Sequence, residues 1–280
     1  MYPKVRDENA VFDRELDLKR FPVEFFHTLE KEEVTINSIY GYHLSCLLLN
    51  NELTKSKDNY KKVAVFCHGY KCSKSAAVVY AKILMDLGFT AVLYDHRNHG
   101  RSGRKFTSMG FYEKQDLKQV IDWCYQKYGR NIHIVLHGES MGATTVLNYL
   151  VLDDRIAAVI ADCGYSDLSK LLKHQMRKYY HLPYQILMPI INIILKLRAG
   201  FSLKDVSAIE GVKHSNTPIL FIHGDADDYV PYQMSVEMYH MKKGAKELYL
   251  AKGAVHAQAC VVDLKRYIQV IETFITKYYS

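Results

Sequence analysis

Six nearly continuous apolar runs recur along this chain, and they restrict its fold more than any other feature. KVAVFCHG (62–69), TAVLYD (90–95), IHIVLHG (132–138), AAVIADCG (157–164), PILFIHGD (218–225) and ELYLAKG (247–253) are short and dominated by large apolar residues. A strand covered on both faces reads this way, because neither face calls for polar residues. Between the runs lie segments with helical spacing. One carries Ala76, Val79, Tyr80, Ile83, Leu84 and Leu87 and stops at Gly88, with Ser73 or Ser75 placed to cap it. Another carries Leu117, Val120, Ile121, Cys124, Tyr125 and Tyr128 and stops at Gly129, and a last one runs near 260–278. Strand and helix patterns taking turns predict an α/β fold, a mainly parallel sheet flanked by helices. Two further runs, 34–39 and 42–49, flank Tyr40 and Gly41 and predict a hairpin ahead of it.

The alternation lapses once. Roughly fifty residues between Tyr165 and Lys213 hold no strand pattern, too long a stretch for a plain connection in a compact domain. A helical cap inserted after the sixth strand is the natural reading, with 1–163 and 214–280 as the core domain and 164–213 as the cap. Ahead of the hairpin, Phe12, Leu16, Leu18 and Phe21 are spaced for a helix packed on the core or the cap.

Composition limits the function classes. At 49% hydrophobic and 24% charged, the chain is expected to fold throughout. The formal charge of +7 comes from 37 Lys and Arg with no arginine cluster or RNA-binding signature, so no nucleic-acid partner is expected. Cys46, Cys67, Cys72, Cys124, Cys163 and Cys260 are scattered and show no CxxC spacing. They read as reduced thiols. The first twenty residues are charged and lack an apolar centre, which predicts a cytoplasmic protein without an export signal.

Chemistry concentrates at GESMG, 138–142, where a strand pattern gives way to a helix pattern. A sharp strand-to-helix turn forces the central serine to positive φ and brings strand and helix so close that only Gly138 and Gly142 fit on either side. The turn lifts Ser140 above the carboxyl end of the sheet, beside free N–H groups of the helix's first turn. A serine needs a base, and the base needs an orienting group. HGDADDYVP (223–231) offers Asp225, Asp227 and Asp228 after one later strand, and GAVHAQ (253–258) offers His256 after the last. Serine, then aspartate, then histidine is the chain order of an α/β-hydrolase.

From about Lys61 onward the chain resembles an α/β-hydrolase. It is most similar to bacterial capped carboxylesterases related to monoacylglycerol lipases and feruloyl esterases, through HGY (68–70), DHRNHGRSG (95–103), GESMG, HGDADDYVP and GAVHA in the family's order. The resemblance implies Ser140 as nucleophile, His256 as base and Asp227 as the orienting acid, leaving Asp225 and Asp228 as bystanders. It also implies an oxyanion hole from the backbone N–H groups of Tyr70 and Met141. Two positions depart from the family pattern: Asn98 stands where glycine is frequent, and Glu139 where histidine is common. His68 and His223 read as satisfying loop backbone at strand ends. His96 and His99 lack a third ligand, so no metal and no cofactor are expected.

The resulting expectation is a serine hydrolase that cleaves a small-molecule carboxylic ester, lipophilic or aromatic in its acyl part, through an acyl-enzyme. Thioesterase, amidase or peptidase, and acyltransferase chemistry would use the same residues, and a receptor-like member that binds with little turnover is the reading from another class. HLPYQILMPIINIILKLRAGF (181–201) is apolar but interrupted, which argues against a span. Just before it, Lys170, Lys173, His174, Arg177 and Lys178 share one helical face opposite Leu171, Leu172, Met176 and Tyr179. That pattern reads first as a cap helix packed on the core with its lysines in water, and it also permits peripheral contact with an anionic membrane. Oligomeric state is not encoded in any motif.

Overall fold

The apolar runs become strands of one eight-stranded sheet in the computed structural model, which describes residues 23–50, 52–55 and 61–279. The helix expected through Phe12, Leu16, Leu18 and Phe21 lies outside these residues. The strands are β1 (Glu30–Asn37), β2 (His43–Asn50), β3 (Lys61–Cys67), β4 (Thr90–Tyr94), β5 (Ile132–Glu139), β6 (Ile156–Asp162), β7 (Ile219–Gly224) and β8 (Lys246–Ala251), in the order β1-β2-β4-β3-β5-β6-β7-β8. β1 and β2 form the antiparallel hairpin, β2 pairs antiparallel with β4, and the other pairings are parallel.

β3 shows why such runs sit at the centre of the sheet. Val63, Val65 and Cys67 enter the core on one face, Ala64 and Phe66 the core on the other, so each turn of the pleat is used twice. One face is covered by α1 (Val23–Thr28), α2 (Val78–Asp86) and α10 (Leu264–Tyr278), which follows a short α9 (Ala259–Val262). The other is covered by α3 (Glu113–Tyr128), α4 (Met141–Tyr149) and α8 (Gln233–Met241).

The start of α2 corrects a local expectation. Ser73 makes no side-chain cap bond, and a 3-10 turn over Lys74–Ala77 precedes the helix. The capping acceptor comes from another strand's end: Asp95 Oδ1 accepts from Lys74 N at 2.7 Å, and Asp95 Oδ2 pairs with Lys74 Nζ at 2.8 Å, fully buried. A carboxylate held by a buried cation outcompetes a neutral hydroxyl for the same N–H.

Above the carboxyl ends of the strands, α5 (Leu168–Lys178) and α6 (Tyr184–Ala199) enclose a third apolar cluster that includes Tyr165, Leu168, Leu171, Phe201, Leu203 and Val230. An isolated bridge between Asp167 and Ser207 closes the base of this segment. α7 (Ala208–His214) then packs below, where a Cβ on Gly211 would lie 1.9 Å from Leu147 O of α4. It serves as the crossover helix between β6 and β7, as a parallel connection requires. Among the described residues no helix is long and apolar enough to cross a membrane. Five of the six cysteines are buried, and Cys72 is half-buried.

Candidate active site

Ser140 occupies the junction between β5 and α4 with φ 55° and ψ −113°, a conformation that costs a non-glycine residue of the order of 1–3 kcal/mol and persists only when its surroundings over-determine it. Here they do. Ser140 N donates to Asp162 O at 2.8 Å, and Ser140 O accepts from Thr144 N at 3.1 Å. A Cβ on Gly138 would lie 2.4 Å from the carbonyl of Gly142, and one on Gly142 would lie 1.9 Å from Cys67 O at the end of β3. Both glycines are therefore fixed by backbone that cannot move aside.

The same packing brings the loop after β3 against the serine. A Cβ on Gly69 would stand 3.6 Å from Ser140 Cβ, so the loop that leads into Tyr70 passes close to the serine. Met141 begins α4, in the turn whose N–H groups have no intrahelical acceptor. Histidines hold the loop: Lys71 N donates to His99 Nε2 at 3.1 Å, and His96 N donates to His68 Nε2 at 3.0 Å. Burial pushes the pKa of His68, His96 and His99 down, which keeps the rings neutral and able to accept. Asn98 sits at φ 61°, the reason glycine suits that position and asparagine tolerates it.

Ser140 Oγ lies 2.9 Å from His256 Nε2, and His256 Nδ1 lies 2.7 Å from Asp227 Oδ2. The carboxylate facing Nδ1 fixes the proton there and leaves the Nε2 lone pair toward the serine. Asp227 is held in turn by four donors. Its Oδ1 accepts from Tyr229 N and Val230 N at 2.9 Å each, and its Oδ2 also meets His223 Nε2 at 3.2 Å. Burial alone would raise the Asp227 pKa, but the hydrogen bonds from His223 and His256 outweigh it and bring the group to about 2. For His256, burial opposes the charged form, while the bond to Asp227 and the charges of Asp227, Glu139 and Asp162 more than offset this and raise its pKa above 6.5. Asp225 and Asp228 face elsewhere: Asp225 Oδ1 accepts from Gly253 N at 2.6 Å, and Asp228 pairs with Lys178 at 2.5 Å on the surface.

Sequence reasoning assigned His223 to loop backbone, and it does contact Val230 O at 2.9 Å. Its contact with Asp227 was missed. The available signal was its position four residues before Asp227 in the same motif. Glu139 is buried and accepts from Tyr80 O–H at 2.5 Å, which places a carboxylate beneath the elbow where it acts on His256 through charge.

The serine opens into a cavity of about 590 Å³ walled in part by α5 and α6, lined on its apolar walls by side chains including Phe106, Met109, Leu171, Ile191, Leu195 and Phe201. Phe106 and Met109 come from an irregular loop whose role no periodicity announces. Among the described lining residues the charged ones are Lys71 and Arg198, both cationic. One trio among the described residues, Cys163, Asp227 and His256, brings three potential ligand atoms within 4.8 Å of one another. It is poorly suited to a cation. His256 already spends both nitrogens on Asp227 and Ser140, and burial raises the Cys163 pKa well above its ordinary value, so the thiol stays protonated.

Comparison with known proteins agrees with this architecture. A family model described as serine aminopeptidase, S33, matches residues 58–191. An uncharacterized protein of Bacillus subtilis, YqkD, is 33% identical over 277 residues, covering 98% of this chain and 89% of the relative. Among solved structures, the Pyrococcus furiosus esterase Pf2001 superposes with a TM-score of 0.71 at 23% identity, covering 95% of this chain and 94% of that one. Est1E from Butyrivibrio proteoclasticus, solved with ferulic acid bound, gives 0.63 at 19% identity, covering 88% and 99%. At these identities the two structures speak for the fold. The family match together with the relative that spans nearly the whole chain shows that the protein belongs to the α/β-hydrolase family, whose matching model describes a serine hydrolase.

Proposed function

We propose that the protein hydrolyses carboxylic esters with a lipophilic or aromatic acyl group through an acyl-enzyme on Ser140. The observation that carries this reading is the chain of short contacts from Ser140 Oγ through His256 to Asp227, set at the floor of an apolar cavity. His256 Nε2 takes the proton as Ser140 Oγ bonds to the ester carbon, while the N–H groups of Tyr70 and Met141 receive the oxyanion. The imidazolium returns that proton to the departing alkoxide as the ester C–O bond breaks. Water, deprotonated by the same nitrogen, then attacks the acyl carbon, and the bond to Ser140 Oγ breaks as the imidazolium returns the proton to that oxygen and the acid leaves. Asp227 stays ionised throughout, in keeping with its low pKa. No step calls for a cofactor.

The family model's description names an aminopeptidase, and the charges of the cavity argue against that substrate here. An aminopeptidase must hold a substrate ammonium, whereas Lys71 and Arg198 are the charged groups of the described lining and would repel one. An uncharged or anionic ester suits the same surroundings. We place the activity in the cytoplasm, in keeping with cysteines that are scattered in sequence without CxxC spacing and of which five are buried.

The test is hydrolysis of p-nitrophenyl esters from acetate to palmitate, with mass spectrometry after a fluorophosphonate probe. The expected result is a single adduct on Ser140 and a maximum of kcat/KM at medium or longer chains, since each methylene buried contributes about 0.8 kcal/mol until the cavity is full. No adduct and no turnover on any chain length would overturn the reading and favour a binding protein.

The pH profile provides a second check. The base must be neutral, and its pKa is raised, so the acid limb of kcat/KM is expected to have its midpoint above pH 6.5. Glu139→Gln removes one of the charges that favour the imidazolium and should move that midpoint toward lower pH. A wild-type midpoint that Glu139→Gln left unmoved would mean that this charge does not act on the titrating base.

A further inference from the structure

The cap carries a surface that hydrolysis does not explain. Residues 168–204 contain seven Lys and Arg and no Asp or Glu, so the rest of the chain is balanced at 30 of each sign and the whole formal charge of +7 belongs to this segment. On α6, Ile186, Ile190, Ile193 and Leu197 recur at spacings of four, three and four residues and are 64, 47, 58 and 82% exposed. The opposite face of the helix, with Met188, Ile191 and Leu195, packs on the cap cluster. α6 is therefore apolar on both sides, and its outer stripe faces solvent. The cations lie on the neighbouring helix: Lys170, Lys173, His174, Arg177 and Lys178 line one shallow concavity on α5, and Lys173 stands 4.9 Å over the ring of Tyr184, where α6 begins. Lys170 and Lys178 pair with Glu237 and Asp228, while Lys173 and Arg177 face Tyr184.

We propose that this face docks the protein onto anionic lipid bilayers. An apolar stripe on a segment that carries seven cations and no acidic residue of its own is complementary to an interface with acyl chains below and anionic headgroups around. A second copy of the chain is a poorer occupant, since a two-fold pairing would set two segments of the same net positive charge against each other. The helix lies in the interface and does not span it: 16 residues reach about 24 Å at about 1.5 Å each, short of a hydrocarbon core of about 30 Å. Tyr180 and Ile194, both exposed, also line the cavity that holds Ser140, so docking brings the cavity mouth to the lipid surface. That last consequence rests on the proposed ester chemistry; the docking itself does not.

Vesicle co-sedimentation of the full chain separates the two. The wild type is expected to pellet with phosphatidylcholine vesicles containing phosphatidylglycerol, to remain in solution with phosphatidylcholine alone, and to be released by salt. Lys173→Gln with Arg177→Gln should weaken partitioning by about tenfold or more, since each basic residue at an anionic surface contributes roughly fivefold. Ile186→Gln with Leu197→Gln should weaken it at least as much. All four side chains are exposed, so both variants should keep the wild-type melting temperature by circular dichroism. No pelleting, equal pelleting on neutral lipid, or pelleting unchanged in both variants would overturn the proposal. So would a concentration-dependent dimer in light scattering that Leu197→Gln dissolves while vesicles go unbound. Vesicle binding without turnover of any ester would leave docking standing and remove the ester reading instead.

Discussion

Replacing Ser140 with alanine is expected to lower kcat for the best p-nitrophenyl ester by about 10⁶-fold, with little change in stability. The loss is large because no other group can substitute for the hydroxyl. His256 Nε2 is 2.9 Å from Ser140 Oγ, and the strained turn holds that oxygen at the cavity floor. Stability should be spared because alanine and serine meet a similar penalty at φ 55°, and the backbone bonds to Asp162 O and from Thr144 N do not involve the side chain. Initial rates and a thermal melt on the same preparation check both halves. Retention of more than about one part in a hundred of the activity would mean that another residue is the nucleophile, because triad removals elsewhere leave far less.

Asp227→Asn is expected to cost about 10⁴-fold in kcat while changing the side chain's shape hardly at all. The amide oxygen can still accept from Tyr229 N and Val230 N, which directs its NH₂ toward His256 Nδ1. A donor there demands a lone pair on Nδ1 and places the ring proton on Nε2, where it points at Ser140 and blocks proton removal. The variant should also lose the carboxylate charge that raises the His256 pKa, so the residual activity should have its acid limb at lower pH than the wild type. Asp225→Asn and Asp228→Asn serve as controls. Their carboxylates reach Gly253 N and the exposed Lys178, and each should stay within a few-fold of wild type. If Asp225→Asn proved as damaging as Asp227→Asn, the assignment of the orienting acid would fail.

Much of the fold was legible in the chain because the information is local. A strand buried on both faces must be apolar at every position, and the runs at 62–69, 90–95, 132–138, 157–164 and 218–225 are visible without knowing what packs on them. The serine between Gly138 and Gly142 is legible for the same reason: the steric demand of the turn falls on residues adjacent in sequence. The order of serine, aspartates and histidine was also present, although three aspartates within four positions could be separated only by resemblance.

Other features depend on groups far apart in the chain, and local pattern carries no record of them. The cap of α2 passed from Ser73 to Asp95 because a strand end 21 positions beyond Lys74 delivers a carboxylate with a buried counter-charge. His223 turned toward Asp227 because β7 and the following loop fold back on one another around Val230. Phe106 and Met109 are cavity walls because residues of α5 and α6, at least 59 positions further along the chain, complete the same cavity.

The outer face of α6 is the clearest division between the two kinds of information. The sequence by itself determined that 181–201 is apolar and that the cations cluster just before it, because hydropathy and charge belong to individual residues. Only the tertiary structure decided which apolar side chains are buried. α6 has one face against the cap cluster, so Ile191 and Leu195 are covered while Ile186, Ile190, Ile193 and Leu197 remain in solvent, a choice set by the orientation of the helix and invisible in its composition.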